Sequence, residues 1–184
     1  LITDEIWSGL GRSGKKFAFD FSNVAPDLII LGKGLSSSMP LSAVIAKGDL
    51  LQKWPPGAHT STFQGNPIAC AVACATLREI ENSKLIEHVS NSIALCFGKL
   101  KNDLISNDFV KDVRFVGAQC AIEFNNSVTA NEVQKLALSQ AKLLTYGGGR
   151  KGECVLLLPP INIDENTLQN ALTSLLEIIS QGLP

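Results

Sequence analysis

The 184-residue sequence has no excess of either charge. Sixteen Lys and Arg stand against 17 Asp and Glu, for a net charge of −1. Such a balance leaves no electrostatic footprint for nucleic acid or an anionic membrane surface, and excludes both as main partners. There is no apolar run long enough to span a bilayer and no signal-peptide pattern. Histidine is scarce. His59 and His88 are the two present, and neither completes a metal-ligand set with Cys70 and Cys74, so no metal is expected. Those two cysteines lie one helical turn apart and read as small apolar core residues. The five cysteines are odd in number and lack paired spacing. This excludes a disulfide framework and indicates reduced thiols in a cytoplasmic compartment. No Walker loop follows any strand, and no internal repeat or low-complexity segment occurs.

What remains is a globular composition, 45% hydrophobic and 18% charged, sufficient for one domain or two small ones. Within it one stretch stands out: Leu28-Ile29-Ile30-Leu31-Gly32-Lys33-Gly34-Leu35. An apolar β-type run carries a lysine to its end, between two glycines. Lysine is seldom buried, because removing its ammonium from water is costly. Its amine can also lose its charge and form an imine with a carbonyl, which arginine cannot do. Taken alone, the octapeptide fits a surface lysine closing a strand better than a reactive one. The rest of the chain reverses that order.

Leu1 to Trp7 reads as a buried strand already in full swing, so the chain is expected to be the later part of a longer one. A glycine-punctuated loop follows from Ser8 to Gly14, then a short aromatic segment, Phe17 to Phe21. Pro26 opens a strand over Asp27 to Leu31, and Leu41 to Ala46 forms another after the turn at Ser36 to Pro40. Short buried runs separated by loops predict one sheet covered on both faces. Asn66 and Pro67 supply the cap and first turn of a helix that runs through Ala69, Cys70, Ala73, Leu77 and Ile80. A second helix fits Leu85 to Ile105, where Ile86, Val89, Ile93, Leu95, Phe97 and Leu100 supply most of an apolar stripe.

From about Ser83 the organisation changes to a separate, smaller α+β segment. Val113 to Phe124 reads as strand, glycine bend, strand. Thr129 and Glu132 form a capping-box pair for a helix through Leu143. Gly147 to Gly152 is expected to be a flexible loop, and Cys154 to Leu158 a strand stopped by Pro159-Pro160. Asn162 and Glu165 resemble a second capping pair, for a last helix carrying Leu168, Leu172, Leu175, Leu176 and Ile179.

One chemistry draws on Asp4, Lys33 and the Ser61/Thr62 pair together. Asp4 and Ile6 are two apart on a strand and are expected to share a face. An aldehyde-bearing pyridine cofactor needs an amine for its carbonyl, a carboxylate to keep its ring nitrogen protonated, and hydroxyl or backbone donors for its phosphate. Ile6 supplies an apolar surface for the ring. The order of segments then carries a resemblance. Leu1-Ile2-Thr3-Asp4-Glu5-Ile6, Gly9-Leu10-Gly11-Arg12-Ser13-Gly14, Pro26-Asp27 with Leu31-Gly32-Lys33-Gly34, Pro40-Leu41-Ser42-Ala43-Val44, and Ser61-Thr62-Phe63 with Gly65-Asn66-Pro67 resemble class III aminotransferases. These are pyridoxal-phosphate enzymes of fold type I that include the ornithine, acetylornithine and 4-aminobutyrate transaminases. The match is dense from Leu1 to about Ile80 and looser beyond, where Leu157-Leu158-Pro159-Pro160 also looks like the family.

The resemblance implies an α/β fold. Residues 1–82 would be the later part of the cofactor-binding large domain, a mixed, mostly parallel sheet with helices on both faces, and residues 83–184 a small α+β C-terminal domain. It implies pyridoxal 5′-phosphate as cofactor, an amino donor and a 2-oxo acid acceptor as substrates, and a homodimer. Lys33 would be the Schiff-base lysine and proton carrier, Asp4 the partner of the pyridinium nitrogen, and Ile6 the residue packed on the ring. Thr62 would hold the phosphate of the neighbouring subunit's cofactor, and Ser61 would border the substrate. Trp7 stands where many members carry glutamine, and its indole would shape the substrate pocket. Arg12 reads as a structural loop tie, Glu5 as a local polar contact, and His59 as a loop residue. Two departures accompany the match. The family's glycine-rich phosphate cradle and ring-stacking aromatic belong upstream of Leu1. The arginine that many members use to clamp a substrate carboxylate is replaced by Leu156, with Arg150 and Lys151 in the preceding loop. A racemase or aminomutase of the same family, or a truncated non-catalytic remnant, fits the same motifs.

Overall fold

The computed structural model describes residues 1–181 and divides into two compact units, Leu1–Ile86 and a second from Glu87 onward. The first unit is built on a three-stranded sheet in the order β1 (Ile2–Asp4), β2 (Leu28–Leu31), β3 (Ala43–Ala46). β1 and β2 run parallel, with Asp4 opposite Ile30, and β3 returns antiparallel, with Ile29 opposite Ile45. β1 is shorter than the expected strand from Leu1 to Trp7. It stops at Asp4, whose carboxylate accepts a hydrogen bond from the Ile6 amide at 3.0 Å and turns the chain. Alternation along a strand therefore ends before Ile6, and the shared-face expectation for Asp4 and Ile6 does not apply.

The aromatic segment is a 3-10 turn, Ala18–Phe21, beside which the Phe17 and Phe19 rings stack at 5.3 Å. A second 3-10 turn, Lys33–Leu35, follows β2 directly. Helix α1 (Pro67–Asn82) begins as its residues dictate. Pro67 sits at its start, and the Asn66 side chain accepts from the amides of Ile68 and Ala69 at 2.9 and 3.2 Å. α1 buries Ala69, Ala73 and Ile80. Cys70 is half-buried, and Cys74 points outward rather than into a core. Ile2, Val44 and Ile45 of this sheet are exposed.

The second unit is a four-stranded antiparallel sheet, in the order β4 (Val110–Val116), β5 (Gln119–Phe124), β7 (Cys154–Leu157), β6 (Tyr146–Gly148). The helices α3 (Ala94–Leu104), α4 (Ser127–Ala141) and α5 (Glu165–Ser180) pack with it. Strand alternation sends Val113, Ile122, Val155 and Leu157 into one core with Val89, Ile93, Phe97, Leu104, Val133, Leu175 and Ile179. The expected helix from Leu85 to Ile105 is a short α2 (Leu85–His88), a π-helical turn at Val89–Ile93, and α3. The turn puts both Val89 and Ile93 into the core. The His88 Nε2–H donates to the Ile163 carbonyl at 2.8 Å.

Both expected capping pairs are displaced. α4 is capped by Asn126, whose side chain accepts from the Thr129 amide at 2.9 Å, and α5 by Asp164, which accepts from the Thr167 amide at 3.0 Å. The cap is the last residue with extended backbone, and a short carboxamide or carboxylate there outcompetes the Thr129–Glu132 and Asn162–Glu165 pairs. α4 ends at Ala141 because Lys142 turns left-handed, with φ of 57°. The expected glycine loop starts instead as β6. A Cβ on Gly148 would lie 2.9 Å from Leu156 Cδ1, so glycine is what lets β6 run flush against the Leu156 side chain on β7.

Candidate active site

The parallel pair β1/β2 brings four of the expected residues to neighbouring strand ends. Asp4 closes β1, and Ile6 and Trp7 follow in the turn. Gly32 and Lys33 close β2. The Glu5 amide donates to the Ile30 carbonyl at 2.9 Å, which fixes the register at the point where both chains leave the sheet. Ile6 then covers Gly32: a Cβ there would lie 3.5 Å from Ile6 Cγ2. One residue on in each chain, Lys33 Nζ lies 3.8 Å from the centroid of the Trp7 ring. Asp4, Trp7 and Lys33 are all exposed.

The lysine is held in a costly conformation. Its φ is 42°, in the left-handed region that a residue with a long side chain seldom adopts. The turn that holds it is tied down at its far end. Leu35 and Ser36 are buried, the Leu35 amide donates to the Gly32 carbonyl at 2.9 Å, and Ser36 Oγ donates to the Ala69 carbonyl in the first turn of α1 at 3.3 Å. The result is an exposed amine on a strained turn that is anchored at its far end.

Glu5 does more than make a local contact. It is 3% exposed, and its carboxylate accepts from Ser8 Oγ at 2.6 Å and from the amides of Ala18 and Phe19, each at 3.0 Å. Three donors satisfy a carboxylate that would otherwise be expensive to bury. The side chain pins the aromatic turn to the end of β1. The signal available in the sequence was an acid inside an apolar run, followed at once by a glycine-rich loop that needs something to close on. In the same loop, burial lowers the Arg12 guanidinium from its ordinary value.

Ser61 and Thr62 lie on an exposed turn closed by the Gln64 amide on the Ser61 carbonyl at 3.1 Å, just ahead of the Asn66 cap. Among the described residues, no hydrogen bond or ion pair links either one to Lys33 or Asp4. Phe63 beside them is 82% exposed. His59 meets Trp54 by ring contact, at 6.1 Å between centroids. In the second unit, Leu156 is half-buried on β7, opposite Ala121 and Tyr146. The Lys151 amide is tied to Glu153 at 2.7 Å. Among the described residues, no group of three or more His, Cys, Asp or Glu could hold a metal ion, and no helix is long and apolar enough to cross a membrane.

The donor set fits a pyridine aldehyde. An exposed amine on a strained turn, an exposed carboxylate on the adjacent strand end and an apolar side chain laid over a glycine are the kinds of group that would hold its imine carbon, its ring nitrogen and its ring face.

Comparison with known proteins agrees. The family model described as aminotransferase class III matches residues 1–179. A probable mitochondrial ornithine aminotransferase of Caenorhabditis elegans is 37% identical over 180 residues, covering 97% of this chain and 42% of that protein. An acetylornithine aminotransferase of Oceanobacillus iheyensis is 35% identical, covering 97% and 43%. A solved ornithine aminotransferase of Toxoplasma gondii superposes with a TM-score of 0.89 at 33% identity, covering 97% of this chain and 42% of its own, and has pyridoxal phosphate at partial occupancy in its active site. The chain thus spans less than half the length of these relatives. The fold is the α/β fold of fold type I pyridoxal-phosphate enzymes, and on the match from residue 1 to residue 179 the chain belongs to the class III aminotransferases.

Proposed function

We propose that this chain is the carboxy-terminal part of a transaminase that moves an amino group from an amine or ω-amino acid to a 2-oxo acid, using pyridoxal 5′-phosphate. The observation that carries the reading is the pairing of an exposed lysine, strained at φ 42° on the end of β2, with an exposed Asp4 on the adjacent end of β1. The cofactor, when bound, supplies the electron sink for proton removal next to the amine. Lys33 is the attachment residue and the base that holds and returns the proton. Asp4 faces the ring nitrogen, and Ile6 covers one side of the ring above Gly32. Trp7 borders the substrate. Residues 1–82 form the later part of the cofactor-binding domain, and residues 83–184 the small C-terminal domain.

Ser61 and Thr62 stand on an exposed turn, with no hydrogen bond to Lys33 or Asp4 among the described residues. This favours a homodimer in which Thr62 serves the phosphate of the neighbouring subunit's site and Ser61 lies beside the substrate. Five free cysteines favour a cytoplasmic location. With Leu156 packed on Gly148, β7 offers no guanidinium for a substrate carboxylate, which favours donors recognised by other groups.

The test is Lys33→Ala in the complete protein. Loss of the visible absorbance of lysine-bound cofactor and a fall in turnover by several orders of magnitude are expected. Normal absorbance and turnover would sink the reading. Incubation with an amino donor alone separates transamination from racemisation, because only a transaminase leaves the cofactor in its amine form.

A further inference from the structure

We propose that Trp7 is the resting platform of the Lys33 ammonium in the cofactor-free protein, and that the amine must leave this ring before it can attach to a carbonyl. The observation is the contact itself. Lys33 Nζ stands 3.8 Å from the centroid of the indole, well inside the range of about 6 Å over which a ring quadrupole attracts a cation, and tryptophan is the strongest such ring.

Both partners are fixed by backbone rather than meeting by chance on a mobile surface. Trp7 lies in a turn closed by the Gly9 amide on the Glu5 carbonyl at 3.1 Å and by Ser8 Oγ on the Glu5 carboxylate at 2.6 Å. Glu5 is itself held by the amides of Ala18 and Phe19. Lys33 is held at φ 42° by a turn whose other end is buried against α1. Ile6 over Gly32 and Trp7 over Lys33 are consecutive steps of one stack between the two chain segments. The second tryptophan, Trp54, is occupied separately with His59.

The ring attracts the charged amine, and attachment to a carbonyl uses the neutral one. Trp7 therefore orients Lys33 while slowing its capture of cofactor. It is a positioning residue, acting through Lys33. The inference rests on Lys33 being the attachment residue, and its failure is separable from the failure of that reading.

The experiment uses the complete protein with cofactor removed and lysines labelled with 13C at Cε. One ε-methylene resonance, assigned by its disappearance in Lys33→Met, is expected upfield of the others through the ring current of Trp7. In Trp7→Leu it should rejoin them. A Lys33 resonance within the envelope of the others, or one unmoved by Trp7→Leu, overturns the proposal. Capture of added pyridoxal phosphate, followed by its visible absorbance, should be about two- to five-fold faster in Trp7→Leu, with Trp7→Phe between. Equal or slower capture overturns it. In a Trp54→Phe background, fluorinated tryptophans at position 7 weaken the ring quadrupole with little change of shape. Capture should quicken with each added fluorine, and a flat series assigns Trp7 a steric role instead. If Lys33→Met still develops the absorbance, the attachment reading falls while the resonance result stands.

Discussion

The two units solve the same problem, holding a sheet in place, by different means. The unit from Glu87 onward buries one face of its sheet under α3, α4 and α5 in a core with Phe97, Phe124, Ile122 and Val155 at the centre. Its other face carries a charged cluster, Arg114 between Asp112 and Glu123, beside Ala121 and Leu156. The unit Leu1–Ile86 has a thinner core, chiefly Leu10, Leu31, Leu35, Ala69, Ala73 and Ile80, and leaves Ile2, Val44 and Ile45 exposed. Polar contacts fasten it as well: Glu5 to the aromatic turn, Ser36 to α1, Asn66 at the head of α1. The difference is instructive because every candidate catalytic residue lies in the pinned unit. Apolar packing is non-directional and tolerates an adjusting side chain, whereas hydrogen bonds specify where a strand end points.

The comparison breaks most visibly where packing is removed. Phe97 is fully buried against Phe115, with ring centroids 6.2 Å apart. Phe97→Ala should cost about 3–5 kcal/mol, read from the urea midpoint of this chain. Ile45→Ala, at 49% exposure in the first unit, should cost less than about 1 kcal/mol. Similar losses from the two would mean that the units are fastened alike.

Removing a pin tests the other half. Glu5→Gln keeps the volume but turns an amide N–H group toward one of the two backbone donors, Ala18 on Oε2 or Phe19 on Oε1. The expected cost is about 1.5–3 kcal/mol, with faster hydrogen exchange at those two amides and none at the core of the second unit. Unchanged exchange at Ala18 and Phe19 would remove Glu5 as the fastener of this loop.

How much of this was legible in the sequence follows the same division. Apolar periodicity marked the helices and strands of the second unit, because burial of one face imposes a period. Asn66-Pro67 marked α1, because cap and proline act locally. What escaped was whatever depended on a distant partner. The glycines of β6 signal a loop, and only partners distant in sequence explain them, Gln134 beside Gly147 and the Leu156 side chain beside Gly148. Asn126 and Asp164 were passed over as caps in favour of pairs two or three residues away. At the site, the parallel pairing that sets Asp4 beside the end of β2 could be anticipated from two apolar runs. The Glu5 clamp could not, since its donors are backbone amides 13 and 14 residues away. Nor could the seat of Lys33 on Trp7.

The caps allow a matched comparison. Asn66→Ala and Asp164→Ala each remove a side chain that accepts from a helix's first turn and should each cost about 1 kcal/mol. In the second unit that cost should appear as a uniform loss. In the first it should appear locally, as faster exchange at Ile68 and Ala69 and a looser turn from Ser61 to Gly65. A uniform loss from Asn66→Ala would show that α1 is held by packing after all.

The smallest expected effect lies on the polar face of the second sheet. Glu123 accepts from Lys111 Nζ at 2.5 Å and from Arg114 Nη1 at 2.6 Å, and these hydrogen bonds, Lys111 first, hold its carboxyl below its ordinary value. The bond to Arg114 does the same for Asp112. A carboxyl depressed in the folded state contributes stability above its unfolded value, about 4.3 for glutamate, and loses it as pH falls through the folded value. The Lys111 and Arg114 partners are open to solvent, so the contribution is small and weakens with salt. Glu123→Gln should therefore lower the melting temperature slightly and evenly above about pH 5. The gap to the unaltered chain should close as the pH falls below about 4, and it should narrow in high salt. A gap that widened on acidification would mean that the protonated carboxyl, not the carboxylate, is the form the folded sheet prefers, and the polar face would then have to be counted with the packed one.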